Sequence, residues 1–164
     1  MDLVPKKSHF LARKILLFLS NPYLTPILRA ILGGLFVWAS WDKILHPARF
    51  AEDVANYAIL PPLLTHLFAL FLPWLEMMAG LFLILGLLTR SSSLILSGTL
   101  VSFIIAISIN IARGIQIDCG CFGSGEELGW GTLLRDVLML AMGVLILLFD
   151  RGFLALDSLL SRSA

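Results

Sequence analysis

Apolar residues fill four long stretches of the chain, and shorter polar segments separate them. The stretches run from about Leu24 to Leu45, Leu63 to Leu88, Leu94 to Ala112 and Thr132 to Phe149. A helix that crosses a hydrocarbon core of roughly 30 Å needs about 20 mostly apolar residues, and all four stretches meet or approach that length. The pattern therefore predicts an all-α integral membrane protein with four transmembrane helices.

Small residues recur inside each stretch. They are Ala30, Gly33 and Gly34 in the first, Ala79 and Gly80 in the second, Ser97, Gly98 and Ser102 in the third, and Ala141 and Gly143 in the fourth. Helices in lipid pack closely where small side chains let their backbones approach. We therefore expect the four helices to form one bundle, a transmembrane domain spanning residues 24–149.

Shorter amphipathic segments flank and interrupt the bundle. In the N-terminal segment 1–23, the stretch from Phe10 to Leu19 is too short to span, and we expect an amphipathic helix on the membrane surface. The tail 150–164 is predicted to be a similar cytoplasmic segment. Between the first two spans, Pro47 starts a short helix with Phe50, Val54 and Tyr57 on one face, which we expect to cap the mouth of the bundle.

The basic residues predict the orientation. With a cytoplasmic N-terminus, eight of them fall on the inner side (Lys6, Lys7, Arg13, Lys14, Arg29, Arg90, Arg151 and Arg162) and four on the outer side (Lys43, Arg49, Arg113 and Arg135). Basic residues favour the cytoplasmic side. We therefore predict a bacterial inner-membrane protein with both termini in the cytoplasm, which puts the segment between the third and fourth spans on the outer face.

Composition excludes several function classes. Hydrophobic residues make up 59% of the 164 residues, charged residues make up 14%, and the formal net charge is +1. The mean hydropathy is +0.94. The sequence has no basic tract, Walker loop or dinucleotide-binding glycine pattern, so neither nucleic-acid binding nor ATP hydrolysis is expected.

The two cysteines are one residue apart, in Asp118-Cys119-Gly120-Cys121-Phe122-Gly123. A disulfide between two cysteines that are one residue apart closes a small, strained ring. Strain makes the bond easier to reduce, so it favours thiol–disulfide exchange over stabilisation of the fold. A structural disulfide, inert thiols and soft-metal binding remain alternatives. A closed zinc site would need two more ligands, which His46 and His66 of the other outer loop could supply. We interpret both as ordinary interfacial histidines and expect no metal.

Charged residues are predicted at the same outer depth as the cysteines. They are Asp42 and Lys43 at the end of the first span, Arg113 at the end of the third, and Arg135 and Asp136 at the start of the fourth. Arg113 and Arg135 would stabilise a thiolate, whereas Asp118 would oppose ionisation of Cys119. The alternative is that both arginines simply extend from helix ends into the interface.

Glu76 lies about halfway along the second span, where a carboxylate is a functional hypothesis by default. Pro73, one turn earlier, is expected to open the helix backbone, and Trp74 is deep enough to line a pocket. Arg29 is the other deep charge. Glu76 either forms a structural link to Arg29, or handles protons or contacts a quinone head group.

The order of these residues resembles the MauE branch of the DoxX-like membrane proteins, over roughly Leu24 to Phe149. The resemblance is carried by Arg29, Gly33-Gly34-Leu35-Phe36, Trp41-Asp42-Lys43, His46-Pro47, Phe50, Tyr57 to Pro61, Pro73-Trp74-Leu75-Glu76, Gly80, Gly86-Leu87-Leu88-Thr89-Arg90 and the cysteine motif. The Cys-Gly-Cys-Phe-Gly element is its most specific part.

The resemblance implies a four-helix membrane protein linked to periplasmic thiol redox chemistry. MauE itself is associated with maturation of the disulfide-rich small subunit of methylamine dehydrogenase alongside a thioredoxin-like protein, and DoxX relatives with thiosulfate oxidation and quinones. It implies Cys119 and Cys121 as the redox pair. It also implies polar roles for Arg29, Lys43 and Glu76.

The leading hypothesis is a membrane thiol:disulfide oxidoreductase. Cys119 and Cys121 would exchange with a periplasmic thioredoxin-like protein, and electrons would pass to or from a quinone near the outer end of the bundle. One alternative is a carrier of a soft metal such as Cu(I), using the cysteines with Met77 and Met78. Another is a noncatalytic membrane anchor for an oxidoreductase complex.

The orientation predicts which reagents reach the cysteines. A membrane-impermeant maleimide added to intact, reduced cells should label Cys119 and Cys121, because their segment is expected on the outer face. Double Cys-to-Ser protein should take up no label. Labelling only after the inner membrane is opened would contradict this orientation.

Overall fold

Five helices make up the computed structural model, which describes residues 23–57, 61–114 and 129–150. They are α1 (Leu24–Leu45), α2 (Pro47–Asn56), α3 (Pro62–Leu85), α4 (Thr89–Arg113) and α5 (Trp130–Phe149). Within these three ranges there is no β-strand. The predicted N-terminal interfacial helix and all but the first residue of the tail lie outside the described residues.

Four of the helices are long and apolar enough to cross a membrane, namely α1, α3, α4 and α5. Their lengths are 22, 24, 25 and 20 residues, and much of the surface that they expose is apolar. Such surface is compatible with lipid and unusual in contact with water. The all-α prediction is confirmed, and the chain is a multi-pass membrane protein.

The helix boundaries follow local signals with two departures from prediction. Pro62 occupies the start of α3, and Gly86 ends it in the left-handed region (φ 72°), as predicted by proline and glycine preferences. However, α4 begins at Thr89, ahead of the predicted start near Leu94, and α3 runs unbroken through Pro73. The expected opening of the backbone at Pro73 is therefore wrong, because the helix continues both before and after the proline.

The short helix α2 forms as predicted. Phe50, Val54 and Tyr57 are all buried on one side of it. Phe50 and Val54 pack against Ala69 and Leu72 of α3, so the apolar face of α2 is attached to the first half of that helix.

The bundle is built from two main helix pairs, α1 with α3 and α4 with α5. At the α1–α3 crossing, a Cβ on Gly33 would lie 2.7 Å from the carbonyl oxygen of Gly80. At the α4–α5 crossing, a Cβ on Gly143 would lie 2.5 Å from Ser97 Oγ, and Ser93 Oγ donates a hydrogen bond of 2.7 Å to the Gly143 carbonyl. The α1–α3 crossing therefore requires glycine, because the obstacle is backbone, whereas at Gly143 the nearest atom belongs to a serine side chain.

The other predicted small residues do not form helix contacts of this kind. Gly34 and Gly98 face open space, and Ala30, Ser102 and Ala141 are exposed. The predicted packing role is thus confirmed for Gly33, Ala79, Gly80, Ser97 and Gly143. Between the two crossings lies the main apolar core, formed by Leu32, Phe36, Ala79, Leu83, Leu96, Leu100, Met139 and Ile146.

The two adjacent glycines of α1 give a matched test of the α1–α3 crossing. Gly33→Ala should destabilise the protein by about 1–3 kcal/mol, because the added methyl group meets the Gly80 backbone and Ile84. Gly34→Ala should be neutral or stabilising by up to about 1 kcal/mol, because alanine is the better helix former. Unfolding of both variants in the same detergent measures the difference, and equal stability would contradict the crossing.

Candidate functional site

A buried ion pair joins the first and second membrane spans. Lys43 Nζ of α1 donates a hydrogen bond of 2.9 Å to Glu76 Oε2 of α3. The exposed fractions of the two side chains are 4% and 0%. Each charge is therefore neutralised inside the bundle, where an isolated charge would be very costly.

The backbones of Lys43 and Glu76 lie at different depths in the bundle. From the Gly33–Gly80 crossing, Lys43 lies ten residues along α1, or about 15 Å, and Glu76 lies four residues back along α3, or about 6 Å. Their backbones are thus about 9 Å apart along the bundle axis. The side chains must cover most of that distance.

The direction of the Cα–Cβ bonds makes the contact feasible. In a helix these bonds tilt toward the N-terminus, and α1 and α3 run antiparallel. Lys43 therefore leans inward and Glu76 leans outward, so that the side chains approach each other. Lys43 lies at the predicted helix end, but its ammonium group reaches into the bundle.

Two aromatic rings enclose the ammonium group. Lys43 Nζ lies 5.0 Å from the ring centroid of Phe50 in α2 and 5.1 Å from that of Phe103 in α4. At this range the faces of the rings attract a cation. The same lysine thus connects the spans α1, α3 and α4 with the cap helix α2.

A small cavity opens beside the ion pair. Its lining consists of Phe36, Ala39, Lys43, Glu76, Leu100, Phe103, Asp136 and Met139. The volume open to the centre of a water molecule is about 10 Å³, which is close to the minimum for one water. The cavity therefore brings a second carboxylate, Asp136, to the same space as Glu76.

Asp136 is 1% exposed, although the sequence placed it at the outer boundary. Because α5 already begins at Trp130, Asp136 lies about 9 Å into the helix. Its Oδ1 accepts hydrogen bonds of 3.2 Å from the guanidinium of Arg135, whose side chain is 29% exposed. A prediction that started the fourth span at Trp130 would have placed Asp136 inside the helix and identified it as a buried site residue.

A side chain of α4 also bonds to the residue that follows α2. Asn110 Nδ2 donates to the backbone carbonyl of Tyr57 at 3.4 Å and to that of Ala106 at 3.0 Å. Burial raises the pKa of the Tyr57 phenol, and the negative charges of Asp136 and Asp53 raise that pKa further. Tyr57 is therefore a neutral hydroxyl group within electrostatic range of Asp136.

Arg29 belongs to a different site. It lies four residues before Gly33, on the other side of the crossing from Glu76, and Arg29 Nη1 donates a hydrogen bond of 3.4 Å to Asp150 Oδ2. The Arg29 and Asp150 side chains are 2% and 1% exposed. The predicted link between Glu76 and Arg29 is therefore wrong, because the two residues lie toward opposite ends of the bundle.

The remaining predicted site residues are distributed around this cluster. Asp42 is half-buried and is not part of the cavity wall, and Arg113 is exposed at the end of α4. Trp74 is 57% exposed on the outside of the bundle, so the prediction that it lines a pocket is wrong. Cys119, Cys121 and Asp118 lie outside the described residues, and their predicted roles stay predictions.

The histidines proposed as auxiliary ligands are both exposed; His46 lies between α1 and α2, and His66 lies in α3. Within residues 23–57, 61–114 and 129–150, no group of three or more His, Cys, Asp or Glu residues is arranged to hold a metal ion.

Comparison with known proteins identifies the family. The family model described as "Methylamine utilisation protein MauE" matches residues 21–149. The chain belongs to the MauE family. The matched region includes Lys43, Glu76, Asp136 and both cysteines, and it ends one residue before Asp150.

Individual MauE proteins show the same relationship. "Methylamine utilization protein MauE" of Paracoccus denitrificans is 34% identical over 132 residues, which cover 79% of this chain and 71% of the relative. The protein of the same name from Methylorubrum extorquens is 37% identical over 125 residues, which cover 74% and 67%. That of Paracoccus versutus is 31% identical over 129 residues, covering 77% and 69%. No solved structure matches the chain.

A double-mutant cycle tests the ion pair. Lys43→Met should destabilise the protein by about 3–5 kcal/mol, because it leaves a buried carboxylate without its counter-charge. Adding Glu76→Leu to Lys43→Met should restore much of this loss, since an apolar pair of similar size needs no counter-charge. Unfolding in detergent measures all four proteins, and strictly additive effects would mean that the two side chains do not interact.

Proposed function

We propose that this MauE-family protein is a membrane thiol–disulfide redox protein that exchanges electrons with a thioredoxin-like partner through Cys119 and Cys121. The relatives are named for methylamine utilisation, and the proposal extends that setting to this chain. It includes the inner-membrane location and the outward orientation of the cysteine segment, which the distribution of basic residues supports.

The chemistry is two successive thiol–disulfide exchanges. A thiolate of the pair attacks the partner disulfide, forms a mixed disulfide and releases one partner thiolate. The second cysteine then attacks the mixed disulfide, so that the chain ends with Cys119–Cys121 oxidised and the partner ends as a dithiol. Two electrons move to the partner, and the two protons lost by the cysteines end on its sulfurs. The reverse sequence oxidises the partner by the same steps.

The observation that carries the proposal is the position of the buried charged cluster. Residues 115–128, which contain both cysteines, connect the end of α4 to the start of α5. Lys43, Glu76 and Asp136 lie on this side of the helix crossings, and α2 packs on the same side. Thiol exchange requires the attacking cysteine to lose a proton, and groups that bind protons are concentrated at this end.

A quinone is our candidate for the membrane component that takes up or supplies the two electrons. Its six-membered ring does not fit the cavity beside Glu76, where the space suffices for about one water molecule. The walls are otherwise apolar and aromatic. The cavity therefore supplies no quinone site.

Trapping of the mixed disulfide tests the function. Cys121→Ser or Cys119→Ser should accumulate a covalent complex with a soluble partner in native membranes, because the resolving thiol is missing. The cysteine whose replacement by serine yields the complex is the resolving one. Non-reducing electrophoresis followed by mass spectrometry detects the complex, and the double Cys-to-Ser variant is the control.

The same variants distinguish the two alternatives. Loss of stoichiometric Cu(I) binding in either single variant, without a trapped complex, would identify a soft-metal carrier. Normal assembly of the associated oxidoreductase by the double variant, again without trapping, would identify a noncatalytic anchor. Either result would overturn the redox proposal.

A further inference from the structure

One oxygen of the buried ion pair lacks a partner. Glu76 Oε2 accepts the hydrogen bond from Lys43, but Glu76 Oε1 has no hydrogen-bond donor among the described residues. The Glu76 side chain is 0% exposed. A buried carboxylate oxygen in this condition is strongly destabilised unless a polar ligand satisfies it.

The cavity beside Glu76 has the size and the lining that such a ligand needs. Its volume of about 10 Å³ matches one water molecule, and its wall includes the polar groups of Lys43, Glu76 and Asp136. Three polar neighbours are also the usual number for a buried water. The remaining walls are apolar side chains, which cannot form hydrogen bonds with a water molecule. The three polar residues are therefore the ones that can hold it.

We propose that this cavity binds one water molecule between Glu76 Oε1 and Asp136, and that the water conducts a proton between the two carboxyl groups. In the transfer, one carboxyl group gives a proton to the water oxygen while the water gives one of its own to the other carboxylate. The water is regenerated, and no charge is created outside the pair. The inference does not depend on the cysteines or on the proposed function.

Charges on the surrounding helices favour water over a metal cation. Lys43 from α1 already presents an ammonium group at 2.9 Å from Glu76, and Arg135 from α5 binds Asp136. From α4, the cavity wall contains the uncharged Leu100 and Phe103. A further cation would have to approach two cations that already neutralise the two carboxylates.

The charge of Asp136 also acts on Tyr57, which follows the cap helix α2. Asp136 lies within electrostatic range of the Tyr57 hydroxyl group, and Asp53 of α2 acts on the same group. Glu76, the water and Asp136 form the proposed polar series, and the Tyr57 hydroxyl group responds to the charge of Asp136. The other titratable groups facing this series are Lys43, Arg135 and Asp53.

Infrared difference spectroscopy of the full chain in lipid nanodiscs, recorded while pH is varied, tests the coupling. Glu76→Gln should remove one titrating carboxyl band, and Asp136→Asn should both remove a second band and shift the titration midpoint of the Glu76 band. Asp42→Asn, at a half-buried carboxylate outside the cavity, should leave both bands in place. A Glu76 band unchanged by Asp136→Asn would overturn the proposal.

Filling the cavity tests the water without altering a charge. Ala39 lines the cavity, whereas Ala79 is equally buried in the apolar core at 4% exposure and lies outside the cavity wall. Exchange into H₂¹⁸O should reveal one isotope-sensitive O–H band of a buried water in the native protein and in Ala79→Val. Ala39→Val should lose that band, together with the effect of Asp136→Asn on the Glu76 midpoint.

Three further results would overturn the inference. The first is an O–H band that persists in Ala39→Val, and the second is a native protein that lacks the band. The third is a Glu76 band that shifts when sodium chloride replaces choline chloride at constant ionic strength, because that shift would identify a bound cation instead of water. Near-ultraviolet circular dichroism of each variant establishes that it is folded.

Discussion

A charge inside a lipid-embedded bundle is stable only where its counter-charge reaches it, and this requirement organises the structure around α1. That helix carries two buried cations, Arg29 near its start and Lys43 near its end. Asp150, which follows α5, neutralises the first, and Glu76 of α3 neutralises the second. Because each pair loses several kcal/mol if one partner is absent, the two pairs disfavour other arrangements of α3 and α5 around α1.

The register of those pairs depends on backbone contacts at the middle of the bundle. Where Gly33 meets Gly80, α1 and α3 approach too closely for a side chain on either helix. Sliding one helix along the other would break this contact and would separate Lys43 from Glu76. The glycine crossing and the ion pair therefore stabilise the same register, one by close packing and one by electrostatics.

The two ends of the bundle differ in what surrounds the charges. At the Arg29 end, the buried cation pairs with Asp150. At the other end, Lys43 also contacts the rings of Phe50 and Phe103, a water-sized cavity adjoins Glu76, and the chain leaves α4 for the segment that carries the cysteines. The buried charged cluster thus lies at the end of the bundle where we propose the thiol chemistry. The region matched by the MauE family model contains both the cluster and the cysteines.

The sequence by itself determined the secondary structure, the number of spans, the cap helix and the family. These properties follow from the lengths of the apolar stretches, from proline and glycine positions and from a local cysteine motif. Each of these is a feature of residues that are close together in the sequence. Only the tertiary structure decided that Glu76 pairs with Lys43 and not with Arg29, and that Gly33 packs while Gly34 faces open space. Those outcomes depend on the register and rotation of antiparallel helices, which many apolar sequences leave equally favourable until specific side chains meet.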